Sequence, residues 1–178
     1  MPRSLDSGRF TLVDRPLRRE EAQQISEAIR ETPNILGYSP RELLSFGACL
    51  VAEAANGELA GVCVVKRVAK HWSELAFLLV LPSFRQQGIG SALFRTAFTR
   101  LSDQGETILC ISREASILRL MEEAQMRFIP EWRLPLAVHL VKVRHYSSFY
   151  RFREGFRKTP MYQGQPPFRY AVRRRVNH

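Results

Sequence analysis

With 178 residues, 45% of them hydrophobic and 25% charged, the chain is long enough for one domain with a real core and too apolar to be disordered throughout. Its longest unbroken apolar run, Leu75–Leu81, is far too short to cross a bilayer, and the opening "MPRSLDSGRF" has no apolar segment of a secretory leader, so no membrane role is expected. The net charge of +10 sits at one end: residues 127–178 hold 12 of the 27 Lys and Arg but 2 of the 17 Asp and Glu, which makes a neutral body with a basic C-terminal region.

In chain order, "RFTLVD" (Arg9–Asp14) alternates apolar and polar residues and predicts a first strand. A helix follows, with Leu17, Ala22, Ile25, Ala28 and Ile29 near helical spacing and Asp14 as its expected cap. Ser39 and Pro40 start a short second helix. "ACLVAEA" and "ELAGVCVVKRV" flank Asn56-Gly57, a two-residue hairpin signal. "SELAFLLVL" is apolar on both faces and predicts a central strand. "IGSALFRTAFTRLSDQG" places Ile89, Leu93, Phe94, Ala97, Phe98 and Leu101 on one helical face and stops at Gly105. "ETILCIS" is a short buried strand, and "EASILRLMEEAQM" a helix with Ile117, Leu120, Met121 and Ala124 inward. The order β-α-α-β-β-β-α-β-α predicts a mixed α/β fold.

Beyond Phe128, "PLAVHLVKV" alternates as a strand would, and "YSSFYRFREGFRK" has aromatics at helical spacing. The turn-rich, basic end, residues 159–178, is expected to be partly mobile. The expected organisation is residues 1–130 as the ligand-binding domain and 131–178 as a basic, aromatic extension packed on it. Cys49, Cys63 and Cys110 lie far apart in apolar surroundings, without a CxxC pair or a Cys/His cluster. They predict buried reduced thiols in a cytoplasmic protein and no metal site.

The chemistry concentrates at "LLVLPSFRQQGIGSALF", Leu78–Phe94, which reads as strand, loop and helix. Such a junction aims several backbone N–H groups and the positive end of a helix dipole at one point, a cradle for a pyrophosphate. Gly88 and Gly90 allow close backbone approach, and Arg85 supplies a cation. No Gly-Lys-Ser/Thr follows, so this is not a Walker loop, and Leu93 occupies the third-glycine position of a dinucleotide fingerprint.

The segment resembles motif A of the GNAT superfamily of N-acetyltransferases, Q/R-x-x-G-x-G/A, as Arg85-Gln86-Gln87-Gly88-Ile89-Gly90, after L-x-V-x-P as Leu78-Leu79-Val80-Leu81-Pro82. "EASILRLMEEAQMRFI" is similar to that family's motif B, and the likeness spans residues 9–130. The resemblance implies a splayed central sheet flanked by helices. It implies acetyl-CoA as co-substrate, with pantetheine along Leu78, Leu79 and Val80 and pyrophosphate on the amides of Gln86, Gln87, Gly88, Ile89, Gly90 and Ser91, beside Arg85. It further implies Glu74 as general base, at the position of the catalytic glutamate in the histone-type branch, and a backbone N–H near Val80 polarising the thioester carbonyl. His71 is a reserve base.

Motif B departs from its pattern: Met121 stands for the usual tyrosine, Glu114 for asparagine, and Gln125-Met126 for glycine-phenylalanine. Methionine has no proton to give a leaving thiolate, which leaves Tyr146, Tyr150 and Tyr162 as candidate replacements. The expected activity is direct acetyl transfer to a primary amine, of a small molecule or of a peptide or protein. The alternative is a non-catalytic module that holds CoA, or a nucleic acid through the arginines and aromatics of residues 144–175. Arginine with tyrosine and phenylalanine also suits a homodimer interface.

Overall fold

The computed structural model describes residues 10–35, 37–146 and 149–175, with the side chains of 142–146, 149, 151 and 152 left out. Arg9 and the final residues 176–178 lie outside the described residues. Seven strands form one sheet in the order β1-β2-β3-β4-β5-β7-β6. They are β1 (Phe10–Pro16), β2 (Ala48–Ala54), β3 (Leu59–Ala69), β4 (Trp72–Val80), β5 (Thr107–Ser112), β6 (Arg127–Ile129) and β7 (Arg169–Arg173). The helices are α1 (Arg19–Arg30), α2 (Pro40–Leu44), α3 (Ile89–Asp103), α4 (Ala115–Glu123), α5 (Leu136–Tyr146) and α6 (Phe149–Tyr162). β4 and β5 are parallel, and every other neighbouring pair is antiparallel.

Each face of the sheet carries its own core. Ile89, Leu93, Phe94 and Ala97 of α3 and Leu120 and Met121 of α4 pack on one face with Leu75, Ile108 and Cys110. Ala22, Ile25 and Ile29 of α1 and Leu43 of α2 pack on the other with Val62, Val64, Phe77 and Leu79. A smaller cluster joins Leu134 and Val138 to Leu109 and Val172. The hairpin expected at Asn56-Gly57 forms through a three-residue loop, Ala55 to Gly57: the Gly57 amide donates to the Ala54 carbonyl at 2.8 Å, and Gly57 has a left-handed φ of 80°. Ser39 caps α2: its hydroxyl accepts from the Glu42 amide at 3.3 Å.

Three expectations change. Asp14 does not cap α1, because β1 runs on to Pro16 and the helix begins at Arg19; Asp14 instead accepts Arg100 Nη1 on both carboxylate oxygens at 2.6 Å. The stretch expected as a strand, Pro135–Val143, is the helix α5. Its alternation was incidental: Val138 is buried while Leu136 and Leu140 are 73% and 62% exposed, one inward side per turn. The basic end supplies β7, a strand hidden by its flanking arginines, with Ala171 and Val172 buried and β5 and β6 paired on its two sides.

Charge is paired where it is buried. Arg15 reaches Glu21 through both Nη atoms, at 2.8 and 2.6 Å, and Glu53 through Nε at 2.7 Å. The Glu21 carboxylate also accepts the Arg18 amide at 2.8 Å. Burial works to raise the Glu21 carboxyl, but these hydrogen bonds and the Arg15 charge prevail and hold it below the ordinary carboxylate range. A lowered carboxyl pKa gives stability that is complete above the unfolded value, near 4.3, and is lost as pH falls through the folded value. Melting temperatures measured from pH 6 to pH 3 are therefore expected to drop less steeply in Glu21→Gln than in the wild type, with the variant already less stable at pH 6.

Candidate functional site

The site follows from one irregularity in β4. Val64 pairs with Phe77 but the next residue, Val65, pairs with Leu75, so Ala76 is an extra residue on the β4 side. Such a bulge bends the strand and resets its alternation. Leu75 faces the α3 core, Phe77 and Leu79 face the α1 core, and Leu78 and Val80 return to the α3 side. The parallel pairing of β4 with β5 ends at the same place, at Leu75 opposite Cys110. From there the two strands part, and the remainder of β4 is bonded to β3 alone.

A cavity of about 990 Å³ fills the gap. Leu78, Leu79, Val80, Arg85, Gln86, Gly88, Ile89, Gly90, Ser91 and Glu74 all line it. Gln87, expected beside them, is exposed on the same loop and is not part of the lining. His71 sits exposed at the far turn, with Trp72 after it, and neither reaches the cavity.

The loop entering α3 is shaped for an anion. Gln86 and Gly88 are both left-handed, with φ of 61° and 79°. Gly88 is the N-cap and has no side chain to bond the first turn, and the first intrahelical bond runs from the Ala92 amide to the Gly88 carbonyl at 3.0 Å. The amides of Ile89, Gly90 and Ser91 therefore lack helical partners. A Cβ at Gly90 would lie 3.5 Å from Val80 Cγ2, so the fold tolerates one there, and a longer side chain would run into the cavity. Arg85 turns back toward β4, its Nε 3.4 Å from the Val80 carbonyl.

At the other end of the cavity stand Glu74, Tyr38, Tyr162, Phe168 and Tyr170. Glu74 pairs with Leu109, and Leu109 with Val172, so Glu74 and Tyr170 share one sheet face. Burial, a hydrogen bond to Glu131 and the charges of Glu131 and Glu74 push the Tyr170 hydroxyl well above the ordinary phenol range. The cavity thiols stay protonated at neutral pH, because burial pushes Cys63 up to about 12 and Cys110 higher still. Met121 is wholly buried in the α3 core. Of the proposed tyrosine replacements, Tyr162 lines the cavity, Tyr150 lies 3.4 Å from Ser26 Oγ away from it, and the Tyr146 side chain is outside what is described.

The segment between α1 and α2 walls this end through Thr32, Asn34, Ile35 and Tyr38, a role the sequence did not announce. Asn34 clasps the β5–α4 junction: its Oδ1 accepts Arg113 Nε at 2.9 Å and its Nδ2 donates to Glu114 at 2.6 Å. Arg113 also donates to the Pro33 carbonyl at 2.6 Å and lies against the rings of Tyr162 and Phe168, at 4.9 and 4.5 Å. Tyr170 belongs to the aromatic C-terminal extension expected to pack on the body, whereas Arg113 carries no sequence signal because its partners Pro33, Asn34, Tyr162 and Phe168 are distant in sequence. Among the described residues no group of three or more His, Cys, Asp and Glu side chains is placed to hold a metal ion, and no helix is long and apolar enough to cross a membrane.

Comparison with known proteins points the same way. The family model described as the acetyltransferase (GNAT) family matches residues 15–117. N-acetylglutamate synthase from Neisseria gonorrhoeae, solved with coenzyme A and N-acetyl-glutamate, superimposes with a TM-score of 0.65 at 17% identity, over 95% of this chain and 35% of its own. Rv2747 from Mycobacterium tuberculosis, solved in complex with CoA, gives 0.66 at 15% identity over 93% and 99%. The ribosomal-protein-S18-alanine N-acetyltransferase of Escherichia coli gives 0.53 at 20% identity over 68% and 79%. These likenesses are of fold. The chain thus spans little more than a third of the Neisseria enzyme but nearly all of Rv2747. A comparison with curated proteins found no match.

The left-handed cap makes a direct prediction. Gly88→Val is expected to lower stability by about 1–2 kcal/mol, and Gly88→Asn by less, because asparagine tolerates positive φ; chemical denaturation of both variants measures the difference.

Proposed function

The chain belongs to the GNAT acetyltransferase family, and on that premise we propose that it moves an acetyl group from acetyl-CoA directly to a primary amine, with Glu74 as general base. The observation that carries this reading is the continuity of one cavity from the uncapped α3 amides, past the parted strand β4, to the Glu74 carboxylate. The residues present fit the donor. Ile89, Gly90 and Ser91 offer amides and Arg85 a cation for the pyrophosphate. The stretch Leu78–Val80, not paired with β5, lies open to the cavity beside the pantetheine path.

In the reaction the amine nitrogen bonds to the thioester carbonyl carbon while Glu74 takes the proton that nitrogen sheds. The carbon–sulfur bond then breaks, and the departing thiolate takes a proton from water while the proton held by Glu74 neutralises the hydroxide left behind, giving amide, thiol and the free carboxylate. Met121 supplies no acid. Tyr170, whose hydroxyl bonds to Glu131, shares the sheet face of Glu74. We assign it to orienting the acceptor and Glu74. Thr32, Asn34, Ile35 and Tyr38, with the aromatic rings of Tyr162 and Phe168, form the acceptor end. The names of three similar structures, an N-acetylglutamate synthase, a ribosomal-protein-S18-alanine N-acetyltransferase and a spermidine N-acetyltransferase from Vibrio cholerae, make glutamate, an alanine-initiated peptide and spermidine the first amines to try.

Isothermal calorimetry with acetyl-CoA is expected to give a dissociation constant in the micromolar range for the wild type and no heat for Gly90→Trp with its circular dichroism unchanged. Lack of binding by the wild type would sink the reading. In a product assay across the amine panel, Glu74→Gln is expected to lose about 100-fold or more in kcat while keeping its affinity for acetyl-CoA. Binding without transfer to any amine would point instead to a CoA-holding module.

A further inference from the structure

A lysine ammonium closes the acceptor wall from behind. Lys158, in the middle of α6, is fully buried. Its Nζ donates to the carbonyls of Ile29, Thr32 and Ile35, at 2.5, 2.7 and 2.7 Å. A buried lysine is rare unless its charge is met, and here three donors meet three carbonyl oxygens. Those carbonyls belong to the last turn of α1 and the segment after it, the place where a helix leaves its C=O groups without partners and where a cation is favoured. No glycine ends α1; Glu31 follows in a right-handed conformation, so the cation from α6 does the work a C-terminal cap would do.

The neighbours reinforce this grip. Arg157 donates to the Arg30 carbonyl at 2.5 Å and to Glu154 Oε2 at 2.9 and 2.8 Å. Glu154, 1% exposed, faces Arg30 across 3.6 Å and balances the lysine charge. At Gly37 the segment touches α6 so closely that a Cβ would lie 2.7 Å from Glu154 Cγ. Glu154, Arg157 and Arg30 are the charged groups that face Lys158 from α6 and α1. Residues 32–35 contribute none. The same segment presents Thr32, Asn34, Ile35 and Tyr38 to the cavity.

We propose that Lys158 is a positioning residue for the amine acceptor: by holding three carbonyls it fixes Thr32, Asn34, Ile35 and Tyr38 as the wall against which the acceptor is seated, while the CoA half of the cavity does not depend on it. This inference rests on the acetyl-transfer reading above. Lys158→Met removes the cation with little change of volume, and Gly37→Ala pushes the wall off α6 with the lysine intact.

In hydrogen exchange both variants are expected to lose protection in residues 29–38 by at least tenfold, with β3 and β4 unchanged. With an alanine-initiated peptide, glutamate or spermidine as acceptor, KM for the amine is expected to rise about tenfold with kcat and the acetyl-CoA dissociation constant within twofold of wild type. Glu21→Gln, which weakens α1 far from this contact, is the control and is expected to leave KM unchanged. Unaltered exchange at 29–38 in Lys158→Met overturns the proposal, as does a rise in the acetyl-CoA dissociation constant equal to the rise in KM, or an equal KM rise in Glu21→Gln. Should the wild type bind acetyl-CoA and acetylate none of the three amines, the acetyl-transfer reading fails by that result, and exchange decides the clamp alone.

Discussion

The molecule is organised around the failure of two parallel strands to stay together. One extra residue, Ala76, turns β4 away from β5 after the Leu75–Cys110 pair, and almost everything of functional interest depends on that divergence. It breaks the strand's alternation, so Leu75 supports one core and Phe77 and Leu79 the other. It leaves a length of β4 that no second strand uses. It also aims the Pro82–Phe84 turn and the following loop so that α3 begins beside the opening. A regular sheet would have buried these residues in a conventional core. The bulge places backbone polar groups at a surface where a ligand can meet them.

The opening is held at a fixed width by side chains rather than by sheet bonds. On one side Asn34 bridges Arg113 and Glu114, and Arg113 in turn lies against Tyr162 and Phe168. On the other, α6 grips the end of α1. The C-terminal third thus bears on the cavity through contacts spanning more than 120 residues of sequence. This explains how a basic, aromatic region becomes part of the wall: several of its cations are met by carbonyls, a carboxylate and a ring, at Arg157, Lys158 and Arg169.

What could be read from the sequence was whatever local chemistry decides. Asn56-Gly57 marks its hairpin because Gly57 takes the left-handed φ that closes the turn begun at Ala54, and the helix after Gly88 is visible because its apolar face repeats every three to four residues. The unbroken apolar character of Leu75–Leu81 marked a central strand, yet nothing in it marks Ala76 as the residue where registration slips, since that depends on Val64 and Val65 across the pair. The stretch Pro135–Val143 reads as a strand because its apolar residues suit either period, and only the packing of Val138 against Leu109 and Val172 selects the helix. β7 was obscured by arginines that flank two inward residues. Lys158 looked like one more solvated cation of a basic stretch; its burial is written in the carbonyls of a helix more than a hundred residues earlier.

The position of β7 has a consequence for how the chain comes together. The strand made last lies inside the sheet, between β5 and β6, and its partners Ile108–Ser112 are some sixty residues behind it. During synthesis both neighbours must wait with open edges, and the α3 and α4 side can consolidate long before the other end of the sheet is sealed. Closure is then a late, long-range event with a large loop to order, the kind of step that sets the pace of folding. Until it occurs, β5 exposes the backbone groups most apt to pair with another molecule.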